Sequence, residues 1–234
     1  MFPLRDTVRS RSFPLVNLGL IALNILVFVY ELAVGPKGLN ALLGTFALIP
    51  DRLSLAHPVS AVTLLTSAFL HGSWFHLISN LWTLYIFGDN VEDRMGSLRY
   101  LAFYLLAGVT AGVAQAALNP ASQMPTIGAS GAIAGVLGAY FILFPYGRVL
   151  TFVPLFFLPW FVEIPAYVFL GIWFLTQLSS GLLYLGAAAD PGSFGGIAWG
   201  AHIGGFIVGL ILARLLARRR WTDRPGTFDS FGNL

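Results

Sequence analysis

Long apolar stretches dominate the sequence, and they constrain the fold more than any other feature does. Several of them run for roughly 17 to 25 residues, and each could cross about 30 Å of hydrocarbon as a helix that rises 1.5 Å per residue. Hydrophobic residues make up 57% of the 234 residues, charged residues only 10%, and the mean hydropathy is +0.79. Soluble globular domains lie well below such values. The sequence therefore predicts an all-α integral membrane protein, and the alternating strands of a barrel do not fit its pattern.

Six membrane spans emerge from the positions of these stretches, and we expect them to form one domain, residues 15–217, between two short tails. The predicted spans are residues 15–34, 74–91, 97–118, 129–145, 165–187 and 198–216.

Two of the connections are long enough to need their own interpretation. Prolines and charged residues interrupt the apolar patches of residues 35–73, which predicts an interfacial loop with short amphipathic helices between the first and second spans. Residues 148–163 are also apolar, but Pro154 and Pro159 argue against a span. This segment is therefore predicted to be a re-entrant or surface-lying connection.

Positive charges are distributed very unevenly between the two sides of the predicted bundle. With six spans both termini share one side, and that side collects all of the 13 Lys and Arg residues except Lys37 and Arg52. Such residues accumulate on the cytoplasmic side of membrane proteins. We therefore expect both tails, residues 1–14 and 218–234, in the cytoplasm. The short tails and the arginine asymmetry suit a bacterial plasma membrane.

Three polar residues from separate parts of the chain are predicted to share one depth in the membrane. His76, Ser130 and His202 lie near the starts of the second, fourth and sixth spans, which all run from the outside inward. Polar side chains in hydrocarbon are costly and usually face the bundle interior or a water-filled cavity. A shared cavity that opens to the outer side explains the arrangement most simply.

The stretch HGSWFHLISN, residues 71–80, could supply hydrogen-bond donors to this cavity. His76 and Asn80 are spaced i, i+4 and therefore stack on one helix face, where both could donate to a single point. The same pair could instead bond to a neighbouring helix. His71 and His76 are five residues apart, and the chain has neither cysteine nor an HExxH pattern, so no metal and no cofactor is predicted.

The stretch GASG, residues 128–131, places one hydroxyl, Ser130, at a predicted helix start. Free backbone N–H groups there suit a developing oxyanion, although Gly128 and Gly131 could equally serve close helix packing. A nucleophilic serine also needs a base, and His202 in AWGAHIGGFIVG is a candidate. Small residues such as Gly205 around His202 would let its helix approach the helix of Ser130.

No acidic residue is predicted at the depth of Ser130 and His202, so the sequence favours a two-member Ser-His pair over a triad. An imidazole has an unperturbed pKa near 6.5 and can act as a neutral base. Packing and backbone contacts can orient such a ring without a third residue.

Together these motifs resemble the rhomboid family of intramembrane serine proteases, over roughly residues 15–217. HGSWFHLISN, GASG and AHIGGF match the family's second-span, GxSG and final-span signatures, in the same order along the chain. Residues 88–108 are similar to the family's turn between the second and third spans.

The resemblance implies a role for each matching residue. Ser130 would be the nucleophile, and His202 the general base and later the acid. His76, Asn80 and the backbone N–H of Ser130 would hold the oxyanion, and His71 would be structural.

The resemblance also implies the substrates and partners. Transmembrane segments of other proteins would be cut near their outer end, with small residues favoured beside the scissile bond. The partners are such substrates and membrane lipids, and no nucleic acid is expected. Two departures stand out: Ala134 replaces a tyrosine that packs on the histidine ring in some members, and the Trp-Arg pair of the first outer loop is missing.

Two other classes of protein could use the same polar layer. A transporter or channel could bind its cargo there, although the inverted repeats typical of transporters are not evident in the sequence. A non-catalytic membrane protein could bind client helices while Ser130 and His202 only satisfy one another.

Overall fold

The computed structural model describes residues 1–54, 58–155, 158–186 and 198–218. Most of these residues are helical, which confirms the helical part of the predicted all-α fold, whereas the sheet formed by three strands shows that the fold is not entirely helical. The α-helices in this part of the chain are α1 (Leu15–Ala33), α2 (Gly35–Phe46), α3 (Thr63–Thr66), α4 (Trp74–Met95), α5 (Ser97–Leu118), α6 (Ser130–Leu143), α7 (Ala166–Gly186) and α8 (Trp199–Leu216). The C-terminal tail predicted for residues 218–234 lies outside the described residues from 219 onward.

Four of the described helices, α1, α5, α7 and α8, are long and apolar enough to cross a membrane. The count rises to five if α4 forms one broken span with Ser60–Phe69, from which it is bent by 83°. Helix α6 has 14 residues and reaches about 21 Å, because an α-helix rises 1.5 Å per residue. The chain is therefore an integral membrane protein, while the count of six spans stays a prediction.

Helix α6 is the central element of the bundle, and α4, α5 and α8 pack around it. All of its residues from Gly131 to Tyr140 are buried. A Cβ atom on Gly205 of α8 would collide with the carbonyl oxygen of Gly131 of α6, and one on Gly209 with that of Gly135. The absence of these side chains lets the two backbones touch, which brings the first turns of α6 and α8 together.

The start of α1 is held by a buried carboxylate from the end of α4. Glu92, only 1% exposed, accepts hydrogen bonds from the backbone N–H groups of Val16 (3.1 Å) and Asn17 (2.8 Å) and from the Ser97 hydroxyl (2.6 Å). The first N–H groups of a helix have no partner within it, and negative charge is favoured there. This contact fixes α1 against the turn between α4 and α5.

A three-stranded antiparallel sheet lies beside the helices and was not predicted. Strand β1 (Phe2–Asp6) pairs with β2 (Arg148–Leu155), which pairs with β3 (Leu158–Pro165). The segment predicted as a re-entrant or surface-lying connection is thus a β-hairpin, in which Pro154 and Pro159 face each other near the tip. The first strand comes from the predicted N-terminal tail, residues 1–14.

Strand β1 is tied to the helices by polar contacts. The Pro3 carbonyl accepts a hydrogen bond from Trp82 Nε1 at 2.7 Å. The Asp6 carboxyl accepts one from the Tyr140 hydroxyl of α6 (2.5 Å) and one from Asn90 Nδ2 of α4 (2.8 Å). Burial raises the pKa of Asp6 to about 7, against the opposing effect of the Tyr140 hydrogen bond.

Residues 35–73, which were predicted to form an interfacial loop, contain short helices between α1 and α4. Besides α2 and α3 it forms 3-10 turns at Pro50–Arg52, Pro58–Val62 and Ser67–Phe69. The backbones of Leu48 and Thr126 pair through two hydrogen bonds of 3.1 and 2.7 Å. The loop is thereby fixed to the chain that enters α6, while its position at the membrane surface stays a prediction.

Candidate active site

Ser130 is the first residue of α6, at the end of a turn that only glycine suits. Gly128 has a φ of +118°, a conformation that residues with a side chain rarely adopt. Its backbone N–H donates to the Ser67 carbonyl at 2.9 Å, which fixes the turn to the loop ahead of α4. The N–H groups of the first turn of a helix have no partner within it. The serine therefore stands beside backbone donors, as the sequence predicted for a helix start.

The Ser130 hydroxyl and the His202 imidazole lie within hydrogen-bond distance. Ser130 Oγ is 2.8 Å from His202 Nε2, across the interface between α6 and α8. His202 lies in the first turn of α8, where the Gln115 side chain of α5 accepts a hydrogen bond from the Ala201 N–H at 3.3 Å. The two side chains can meet because glycines bring the backbones of the two helices into contact.

The second nitrogen of His202 contacts a residue that sequence reasoning missed. His202 Nδ1 is 2.7 Å from Gln177 Oε1 of α7, and Gln177 is only 9% exposed. The rings of Trp173 and Trp199 flank the imidazole, with centroids 6.1 and 6.2 Å away. Trp173 and Trp199 thus supply aromatic rings beside His202, while the residue at position 134 is an alanine. The only signal in the sequence was a single amide in an apolar span.

His76 and Asn80 both face the turn before Ser130. A Cβ atom on Gly128 would lie 2.5 Å from His76 Nε2 and 3.7 Å from Asn80 Nδ2. The two side chains therefore converge on the backbone two residues ahead of Ser130. Their i, i+4 spacing on α4 puts them on one helix face, and the backbone N–H of His76 is capped by the Ser73 hydroxyl at 3.1 Å.

His71 lies directly behind Asn80. Its Nε2 is 3.1 Å from Asn80 Nδ2, and its Nδ1 is 3.3 Å from the Phe69 carbonyl oxygen. Burial, assisted by the nearby His76, lowers the pKa of His71 to about 4, so the ring is neutral at neutral pH. A neutral ring that donates through Nδ1 accepts through Nε2. His71 thus orients the Asn80 amide, and its own backbone N–H donates to Glu31, a second residue that sequence reasoning missed.

A small cavity lies next to Ser130, on the side of α5. Glycine and alanine residues form most of its wall, among them Ala68, Gly108 and Gly131, and Ser67 and Thr126 add polar atoms. Its volume is about 20 Å³, which is room for about one water molecule or one methyl group. Within the described residues no group of three or more His, Asp or Glu side chains could hold a metal ion.

The family model and the relatives that match this chain point to the same family. A family model described as Rhomboid domain matches residues 59–219. "Rhomboid protein 1, mitochondrial" of Saccharomyces cerevisiae is 28% identical over 177 residues, which cover 74% of this chain and 47% of the yeast protein.

Two further relatives are somewhat more similar over shorter stretches. The human "Presenilin-associated rhomboid-like protein, mitochondrial" is 33% identical over 141 residues, 59% of this chain and 35% of the human protein. "Rhomboid-like protease 5" of Toxoplasma gondii is 31% identical over 147 residues, 61% of this chain and 15% of that protein. The chain therefore spans less than half the length of these curated relatives.

Proposed function

Because this chain belongs to the rhomboid family, we propose that it is a serine endopeptidase that cuts transmembrane segments of other membrane proteins. The observation that carries the proposal is the 2.8 Å contact between Ser130 Oγ and His202 Nε2. An alcohol becomes a useful nucleophile when an adjacent base takes its proton. The side chains of His76 and Asn80, which face the same turn from α4, complete the set of groups that acyl transfer needs.

The reaction proceeds by acyl transfer in two steps. Ser130 Oγ attacks the carbonyl carbon of the scissile peptide while its proton moves to His202 Nε2. The oxyanion accepts hydrogen bonds from the Ser130 backbone N–H, Asn80 Nδ2 and the His76 ring. His202 then gives the proton to the leaving amine, and the C–N bond breaks. Water, which gives a proton to His202, then attacks the carbonyl carbon of the acyl-enzyme. The bond from that carbon to Ser130 Oγ breaks, His202 returns the proton to Ser130 Oγ, and the second product leaves with a new carboxyl group.

The substrate must present an unwound backbone with a small side chain at the cleavage point. An intact helix holds its carbonyls in hydrogen bonds within the chain, so attack requires local unwinding. The cavity beside Ser130, with Ala68 and Gly108 in its wall, has room for a residue such as alanine. A test substrate with phenylalanine in place of alanine at the cleavage position is expected to be cut more slowly.

The proposed location is a bacterial plasma membrane, with both termini in the cytoplasm and cleavage near the outer side. The arginine asymmetry of the sequence supports this orientation, whereas the names of the yeast and human relatives describe those proteins as mitochondrial. Because the chain has no cysteine, a single cysteine introduced by substitution can show on which side of the membrane a residue lies. In intact cells an impermeant maleimide should label Thr45→Cys but not Ser10→Cys, and the reverse pattern would contradict the orientation.

The nucleophile is tested by removing one hydroxyl. Ser130→Ala should abolish cleavage of a single-span test substrate and labelling by a fluorophosphonate probe. His202→Ala should prevent the labelling as well. Ser179→Ala, a serine on the exposed side of α7, is the matched control and should behave as wild type. Full cleavage by Ser130→Ala would exclude the mechanism. A wild-type protein that neither labels nor cleaves would favour the binding or transport alternatives.

A further inference from the structure

We propose that Gln177 is a positioning residue that holds His202 in the tautomer with its proton on Nδ1, which leaves Nε2 free to accept the proton of Ser130. This assignment rests on the proposed function, in which His202 is the base. It adds a third member, on α7, to the pair that the sequence predicted. This third residue is a neutral amide, whereas a Ser-His-Asp triad has an acid at the position next to His202 Nδ1.

The orientation of the Gln177 amide follows from a hydroxyl next to it. The Thr176 hydroxyl donates to the Trp173 carbonyl oxygen at 2.6 Å, so its proton is already used. Only its lone pairs remain for Gln177, whose Nε2 lies 3.3 Å away and donates to them. The amide oxygen is then the atom that faces His202.

The amide oxygen in turn fixes the histidine. Gln177 Oε1 has no proton to give, so the 2.7 Å contact with His202 Nδ1 requires that Nδ1 carry the hydrogen. A neutral imidazole with a proton on Nδ1 has its lone pair on Nε2. That lone pair points to Ser130 Oγ at 2.8 Å, which is the direction that proton abstraction needs. A reversed amide would put two oxygens face to face at Thr176 and leave the wrong nitrogen of His202 protonated.

The packing of α7 against α8 is suited to this contact. Trp173, Gln177 and Gly181 are spaced four residues apart and therefore share one face of α7. A Cβ atom on Gly181 would lie 3.3 Å from Cβ of Trp199 and 3.4 Å from Cδ1 of Ile203, so the glycine lets α7 approach α8 closely. One turn away, this approach brings the Gln177 side chain to His202.

During the reaction the amide can serve both charge states of the ring. When His202 takes the serine proton, Nδ1–H still donates to Gln177 Oε1, and no group has to move. The loss of a group that orients a functional imidazole costs about 10- to 100-fold at metal sites, and a wrong tautomer costs about 10⁴-fold in a serine protease. We expect an effect of about 10- to 100-fold here, because Trp173 and Trp199 still restrict the ring.

The kinetic test compares two substitutions of similar size. Gln177→Met keeps the volume but removes the acceptor, and it should lower kcat and the rate of fluorophosphonate labelling by about 10- to 100-fold, with KM within about twofold. Gln177→Glu restores an acceptor oxygen and should recover most of the rate. An ionised carboxylate there should also move the acidic limb of the pH–rate profile to higher pH. Gln123→Met, which changes a glutamine in the segment before α6 that contacts Asp51, is the control and should match wild type.

A spectroscopic test reads the tautomer without any need for activity. The chain has four histidines, so the ¹⁵N signals of His202 can be assigned by comparison with His202→Ala. At pH 8 the wild-type ring should show a protonated Nδ1 and an unprotonated Nε2, and Gln177→Met should lose this pattern while its thermal unfolding stays near that of wild type.

The assignment is overturned if wild-type Nε2 is protonated or if Gln177→Met leaves the ¹⁵N pattern unchanged. It is also overturned if the Met variant labels at the wild-type rate or if the Glu variant is as slow as the Met variant. If the wild-type protein neither labels nor cleaves, the proposed protease function fails, and the ¹⁵N pattern still decides the role of Gln177.

Discussion

Substitution of Gly205 by alanine tests whether backbone contact between α6 and α8 sets the distance from serine to histidine. A Cβ atom on Gly205 would overlap the carbonyl oxygen of Gly131. That oxygen belongs to the backbone of a buried helix and cannot swing aside as a side chain would, so the two helices must separate locally. Such overpacking costs about 1 to 3 kcal/mol, and the better helix propensity of alanine returns up to about 1 kcal/mol. The variant should therefore fold, with a net loss of stability of about 0 to 3 kcal/mol.

The effect on activity should be larger than the effect on stability. Gly131 follows Ser130 directly, and Gly205 lies one turn after His202, so the separation acts at the 2.8 Å contact itself. A misplacement of about 1 Å commonly costs about 10²-fold in rate. We therefore expect the rate of fluorophosphonate labelling to fall by about two orders of magnitude, while circular dichroism and thermal unfolding in detergent show a folded protein.

The matched control is a helical glycine with free space around it. A Cβ atom on Gly19 of α1 would have no atom within 4 Å outside its own helix backbone and chain neighbours. Gly19→Ala should therefore raise stability by up to about 1 kcal/mol and leave labelling unchanged. Labelling of Gly205→Ala at the wild-type rate would refute the reasoning, because the pair would then not depend on the helix contact.

Three further predictions address the remaining parts of the structure. Asn80→Ala removes one proposed oxyanion donor and should lower kcat by about 10² to 10³-fold with the protein still folded; a rate within twofold of wild type would exclude that role. Gly128→Ala should abolish most labelling, because its Cβ atom would meet the His76 ring. Gly35→Ala is the control: Gly35 also has a positive φ, +69°, but an added Cβ atom would have no neighbour within 4 Å. This variant therefore introduces backbone strain without a collision, and it should be labelled at the wild-type rate. Burial raises the pKa of Asp6 to about 7, so the stabilisation from the protonated carboxyl is present below about pH 4 and is lost as the pH rises through about 7. The melting temperature should therefore fall between about pH 4 and pH 7, and Asp6→Asn should reduce this fall. A variant with the same pH dependence of the melting temperature as wild type would contradict the prediction.

Local chemistry explains how much of the site could be predicted from the sequence. The i, i+4 spacing of His76 and Asn80 fixes their common face on any helix, and a serine at a helix start stands beside free N–H groups wherever that helix packs. The glycines around Ser130 and His202 have no Cβ atom, and they therefore allow the backbones of two helices to come into contact. These properties depend on neighbours within one or two turns, so the sequence alone could indicate which side chains are candidates for one site.

The residues that orient the site were decided by tertiary structure. Gln177 is one amide in an apolar helix, and nothing near it in the chain indicates that α7 turns it toward His202. The same holds for Glu31, whose partner His71 lies 40 residues away. Their roles depend on how separate helices pack, and that packing has no short-range signature in the sequence.

The chain by itself determined that its long apolar segments without internal prolines form helices, because hydrocarbon requires the backbone to satisfy its own hydrogen bonds. It did not determine that residues 2–6 and 148–165 form a sheet. Strand pairing joins groups far apart in sequence, here Phe2 with Phe152, and an apolar run with prolines fits several conformations equally well. Tertiary packing decided that these residues form strands, because the partners of the first strand, Trp82, Asn90 and Tyr140, come together only in the assembled bundle.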